Sequence, residues 1–153
     1  MPHPVDVMPP KNDSEYFERM SKAMFSAGLN WKMIDNKWPN FRKAFDGFSP
    51  EEVASFSTGK VRNLMNDTGI VRNEKKIRAT IENAKTFLAI QKEHGSFKKF
   101  VQSFGKDEDR LQESLMERFQ QLGPSSARMF LWASAYPLTP NKEEKAWMAE
   151  HKG

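Results

Sequence analysis

Apolar residues recur along the chain at helical rather than strand spacing. Phe17, Met20, Met24 and Ala27 fall at i, i+3, i+7 and i+10, which is one face of a helix. Asn12 with Glu15 three residues on forms a capping-box pattern at its start, and Gly28 suits its C-terminal end. Ser49-Pro50-Glu51-Glu52 opens another helix, with serine as cap, proline in the first helical position and glutamate at the third. The longest pattern runs over residues 73–94. There Ile77, Ile81, Ala84 and Leu88 make the stripe, while Lys75, Lys76, Arg78, Glu82 and Lys85 lie largely off it. Gly95 ends that helix and Ser96 caps a short one. Leu111, Leu115 and Phe119 mark a helix over residues 107–121. Residues 129–135 are apolar nearly all round and read as a buried helix, and Asn141 with Glu144 caps a last one. No strand-like alternation, internal repeat or low-complexity segment stands out. The pattern predicts an all-α domain of about eight short helices over residues 12–153. Residues 1–11, with four prolines and no periodicity, read as an extended arm.

Composition narrows the chemistry. At 153 residues the chain suits one domain with a substantial core, and its 12 Phe and 4 Trp supply most of it. Met20, Met24, Met33 and Met65 read as core filler. The absence of cysteine excludes disulfides and thiolate metal sites, and the scattered His3, His94 and His151 do not make a zinc site, so neither metal nor cofactor is expected. The N-terminus lacks the apolar core of a signal peptide, and no apolar run approaches ~18 residues, so the chain reads as soluble and cytoplasmic, with no membrane partner. A net charge of +4 permits a nucleic-acid partner without implying one.

Two segments carry candidate chemistry. In RFQQLGPSSARMFLWASA (118–135) a helix ends, Leu122-Gly123 makes a turn, and Pro124 begins a second helix with Ser125 and Ser126 close behind. The first-turn N–H groups of a helix have no intrahelical partner, so this end can bind an anion, helped by the helix dipole. A helix–hairpin–helix element grips a DNA phosphate in this way; an ordinary helical hairpin with a glycine turn has the same pattern. The second segment, FSAGLNW (25–31), places a leucine and a tryptophan on either side of a tight turn.

FSAGLNW is followed by FRKAFDGFSPEEVASF (41–56), by NDTGIVRNEKKIRATIENAKTFLAIQKEHGSF (66–97), and by the less specific LGPSSARMFLWASA. In this order and spacing, residues from about 13 to 135 resemble the 3-methyladenine DNA glycosylase I family. The resemblance implies a helix–hairpin–helix glycosylase fold, with a cleft that holds a flipped base, at a cost of a few kcal/mol for extrusion. It implies base-excision repair: hydrolysis of the N-glycosidic bond of an alkylated purine in double-stranded, damaged or abasic DNA, by a bacterial, nucleoid-associated monomer without a cofactor. It places Leu29 as the wedge entering the DNA, with Gly28 letting the backbone approach the duplex. It places Trp31 as a wall of the base pocket, where a cationic methylated purine stacks favourably, and it turns residues Gly123, Pro124, Ser125 and Ser126 into the phosphate-binding hairpin.

The chain departs from the family in three places. The family's base-recognising glutamate lies four residues before the alanine of its Ala-Gly-Leu motif, and Ala23 holds that position here. The family's N-terminal block is replaced by the proline-rich arm. Its structural zinc, bound by two Cys and two His, has no ligand set, and Trp147 and Met148 on the last helix are the expected substitute packing. Asp35, Glu18 and Glu143 are the candidate replacement acids; Glu143 lies eighteen residues after Ser125, about where other glycosylases of this superfamily place a catalytic aspartate. Each reads first as a solvated or capping acid. Arg72, Lys75, Lys76 and Arg78 are either phosphate contacts or a solvated helix face, and His94 reads as a helix-dipole partner. With Ala23 in place, the alternative to an enzyme is a catalytically inactive DNA-binding module that recognises damage or structure on the same fold.

Overall fold

The computed structural model describes residues 7–150. The arm expected over residues 1–11 therefore lies partly outside the described residues, as do His3 and His151. Among the described residues there are nine α-helices and no strand: α1 (Asp13–Ser26), α2 (Trp31–Ala44), α3 (Pro50–Ala54), α4 (Thr58–Met65), α5 (Glu74–His94), α6 (Phe97–Gln102), α7 (Glu108–Arg118), α8 (Pro124–Ala133) and α9 (Lys142–Glu150), with a 3-10 turn (Asp46–Phe48) between α2 and α3. None of them is long and apolar enough to cross a membrane.

The expected starts are closed by side-chain caps. Asn12 accepts from the Glu15 N–H, Ser49 from Glu52, Asn73 from Lys76 and Ser96 from Lys99, each satisfying an N–H that the helix itself leaves open. The stripes are corrected in detail. α1 ends at Ser26, so Ala27 leaves the helix in extended conformation and is exposed. On α5 the core is met by Phe87 and Ile90 in place of Leu88. The helix expected over 107–121 stops at Arg118, and Phe119 caps it in extended conformation.

α5 runs through the middle of the molecule and packs on α1, α3, α4 and α6. Phe17, Phe25, Phe41, Phe45, Phe48, Phe87, Phe97 and Phe130 are fully buried, and many of their rings meet edge-on, tilted or stacked, as with Phe87 and Phe97 at 4.7 Å. Met20 and Met24 are buried, while Met33 and Met65 pack against the core from its margin. α1 also packs directly on α8, and that contact sets the candidate site.

Candidate active site

Between α1 and α2 the chain turns within four residues. Gly28 takes φ +74°, a conformation strained for any residue with a Cβ, and the Leu29 N–H returns to the Ser26 carbonyl at 3.0 Å. Asn30 then caps α2, its side-chain oxygen accepting from Lys32 N–H at 2.9 Å and Met33 N–H at 3.4 Å. Leu29 and Trp31 are 41% and 45% exposed, so two large apolar side chains flank the turn on the surface.

Lys76 of α5 reaches this turn. Its Nζ donates to the Ala27 carbonyl at 2.9 Å and the Phe25 carbonyl at 3.4 Å, closing the C-terminal end of α1. Burial pushes its ammonium pKa down. Lys76 is thus half-buried and engaged with the α1 carbonyls, apart from the exposed members of the basic cluster. Arg78 pairs along the helix with Glu74 at 3.4 Å, while Arg72 and Lys75 are exposed. His94 is the last residue of α5, where its charged form meets the negative end of the helix dipole.

The hairpin between α7 and α8 turns at Gln121, which has φ +58°, and not at Gly123, whose φ is −88°. Buried Asn83 of α5 clamps the loop: its side-chain oxygen accepts from Gln120 N–H at 2.8 Å, and its amide donates to the Gln120 carbonyl at 3.1 Å. α8 starts with Pro124 in the first position and Gly123 before it, with no side-chain cap. Its first-turn amides are therefore unclaimed by any cap, with Ser125 exposed and Ser126 buried.

These parts meet in one pocket of ≈ 260 Å³, lined by Ala23, Ser26, Ala27, Gly28, Leu29, Trp31, Ser125, Ser126 and Met129. Leu29, Trp31 and Ala23 thus share one lining with Ser125 and Ser126 at the start of α8. The Ser26 hydroxyl is engaged, donating to the Lys22 carbonyl at 2.7 Å. Among the described residues, no charged side chain is in the lining. Gly123 and Pro124 lie outside it; Pro124 and Ser125 line a neighbouring groove of ≈ 550 Å³ between α8 and α9.

The candidate acids separate. Asp35 pairs with Lys22 at 2.5 Å. Glu18 accepts from the Trp38 indole and the Arg42 guanidinium, both at 2.8 Å. Neither lines the pocket. Glu143 lines the α8–α9 groove, which shares Ser125 and Met129 with the pocket. A third cavity of ≈ 350 Å³ lies behind Ala23, lined by Val7, Met8, Arg19, Lys22, Ala23, Met129 and Ala133.

The last helix is docked by charge. Glu144 is its buried residue; the Arg128 Nε donates to Glu144 Oε2 at 2.9 Å, and an Nη of Arg128 reaches Oε1. Arg128 also bonds the Thr139 carbonyl at 2.9 Å, and the pair raises the arginine's pKa further. Met148, expected to pack there, is 40% exposed. The zinc carried by the resembled family does not suit this chain: it has no cysteine, and no three metal-binding side chains cluster among the described residues.

Residues 7–130 match the family model described as methyladenine glycosylase. The chain is 36% identical over 96 residues to DNA-3-methyladenine glycosylase 1 of Escherichia coli, covering 62% of this chain and 51% of that protein. It is 32% identical over 96 residues to DNA-3-methyladenine glycosylase of Haemophilus influenzae, covering 62% and 52%. The chain thus spans about half the length of these curated relatives. The structure of 3-methyladenine DNA glycosylase I from Staphylococcus aureus superposes with a TM-score of 0.77 at 28% identity, over 86% of this chain and 81% of that one.

Proposed function

This chain belongs to the methyladenine glycosylase family, and from that premise we propose that it is a base-excision repair glycosylase acting as a cytoplasmic monomer on double-stranded DNA. It removes an alkylated purine by hydrolysing the N-glycosidic bond. The observation that carries this reading is the pocket itself. An apolar chamber has Trp31 and Leu29 on one side and the uncapped start of α8 on the other.

The chemistry follows from those parts. Leu29, standing out from a turn held by Lys76, fills the gap left by the extruded nucleotide. The first-turn amides of α8 hold a backbone phosphate through hydrogen bonds and the helix dipole. The flipped base enters the pocket against the face of Trp31, where an N-alkylated purine adds cation–π attraction to apolar burial. Such a base is already a cationic leaving group. Water adds at the sugar C1′ and loses a proton to solvent, while the electron pair of the C1′–N bond goes to the purine and neutralises it. With Ala23 in the pocket wall, the protein's share is orientation, stacking and exclusion of competing groups. Glu143 is the candidate acid that lines the adjoining α8–α9 groove, which shares Ser125 and Met129 with the pocket.

Incubation with dimethyl sulfate-treated duplex DNA tests this. Free methylated purines should appear above the level of DNA held without protein. No release, with salt-sensitive binding to abasic duplex intact, would make the chain an inactive binding module.

A further inference from the structure

We infer that the base pocket opens through Ala23 and Met129 into the cavity behind it, and that this annex receives a carboxyalkyl group carried by the flipped purine. The inference rests on the glycosylase reading above and names its substrate class.

Ala23 and Met129 line both cavities. Ala23 is 3% exposed and offers only a methyl group. Met129 is unbranched and adaptable, and so yields to a tail passing beside it. The pocket proper has ≈ 260 Å³ and the annex ≈ 350 Å³. The first lies just below the range of about 300–1,000 Å³ for small-molecule sites, so a base fills it and a longer substituent must go elsewhere.

The annex differs from the pocket in charge. Among the described residues, Arg19 and Lys22 line it and no carboxylate does. Arg19 is fixed by donating through Nη1 to the Ala133 carbonyl at 2.9 Å and to the Met8 carbonyl. Glu15 lies near its other Nη at 3.7 Å. Lys22 is held by Asp35, which stays outside the lining, and lies 5.7 Å from the Trp38 ring centre. The two side chains are 25% and 35% exposed, so bulk water screens them only in part. A carboxylate tail meets two cationic donors there and forms short charge-assisted bonds. An ammonium tail meets repulsion. The purine ring, quaternised by the same alkylation, keeps the positive charge that makes it leave.

Duplex DNA treated with β-propiolactone, which leaves 2-carboxyethyl groups on purine ring nitrogens, is the probe. Dimethyl sulfate-treated duplex is its comparison, with released bases quantified by mass spectrometry. The full chain should release carboxyethyl purines as well as methyl purines. Lys22→Gln should lower the ratio of carboxyethyl to methyl release by about tenfold, the loss expected of one charge-assisted contact. Ala23→Leu should lower the same ratio by closing the wall. Because Ala23 is buried, its variant is checked by circular dichroism, and Lys22→Gln, at a partly exposed position, carries the test if it misfolds. Release of methyl purines alone, or an unchanged ratio in Lys22→Gln, overturns the annex and leaves the glycosylase reading standing. Release of neither base overturns both.

Discussion

Glu144→Ala should free the last helix while leaving the core intact. Glu144 is 6% exposed, and its carboxylate takes two bonds from Arg128 and one from the Asn141 N–H at 2.9 Å. Removing one partner of a buried ion pair costs about 3–5 kcal/mol. The Arg128 side chain is 19% exposed and keeps the Thr139 carbonyl at 2.9 Å and Gln112 at 3.4 Å, which places the loss near the low end, about 3 kcal/mol. α9 has Glu144 as its buried residue, so the chain has an easier course than keeping a half-satisfied guanidinium. It can undock α9 and let water reach Arg128, and the global cost is then capped at the docking free energy of that helix. Hydrogen exchange followed by mass spectrometry reads this directly. Protection of amides in 142–150 should fall by about a hundredfold, the equivalent of 3 kcal/mol, while α5 peptides stay as in the parent. Unchanged protection in α9, or a fall of equal size in α5, would refute the view that this pair docks a separable helix. Arg128→Met with Glu144→Leu should recover part of the loss, because neither charge is then left buried alone.

Leu29→Ala, at a 41% exposed position, should change stability by less than about 0.5 kcal/mol. It should still weaken retention of abasic duplex by about tenfold or more, since the exposed part of the side chain is buried only in the complex; equal affinity in a low-salt gel shift would remove the wedge role. Lys76→Met removes the two bonds that close α1 but also the burial penalty that depresses the ammonium's pKa. The net loss should be about 1 kcal/mol, or roughly 2–4 °C in Tm, with weaker DNA binding because the Leu29 turn loosens; DNA affinity at the parent level would detach Lys76 from the site. Glu108 is held below the usual carboxylate range by its bonds to the Thr139 hydroxyl and N–H, both 2.6 Å. Its folded pKa is depressed, so its contribution is present above the ordinary value of about 4.3 and is lost as pH falls through the folded pKa. Exchange in 139–150 should rise over that acid window, and Glu108→Gln should flatten the rise; an identical pH dependence in the variant would refute it.

What could be read from the chain beforehand was whatever lies within a few residues. Asn12, Ser49, Asn73 and Ser96 announce helices because each cap bonds an amide three residues ahead. α2 has no clear signature in the sequence although Asn30 caps it by the same rule, since Pro39 lies inside it and its start is crowded against the Gly28 turn. α4 was hidden by Gly59 in its first turn, with Ser57 as the overlooked cap. Periodicity located the face of α5 but not which residue leads it, and Phe87 took the place given to Leu88. Contacts distant in sequence left no local trace. Asn83 clamps the hairpin from 37 residues away, Lys76 closes α1 from about 50, and Glu144 looked like a cap when it is also the partner of Arg128.

Ala23 joins the chemistry to the shape of the site. A carboxylate at this buried wall would fill the passage between the two cavities and would stand beside Arg19 and Lys22, which line the far side. Its charge would then be divided between those cations and the base. With alanine there, no side chain longer than a methyl group separates the two cavities at this position, and among the described residues the pocket lining carries no charged group beside the base. Under the proposed glycosylase function, recognition of positive charge rests on the Trp31 face, and the force driving departure comes from the purine's own alkylation. A neutral base should therefore gain little from this pocket, whatever its size. A quaternised base should gain from it even with a bulky tail, because in the proposed annex the tail takes the space that a longer side chain at position 23 would fill.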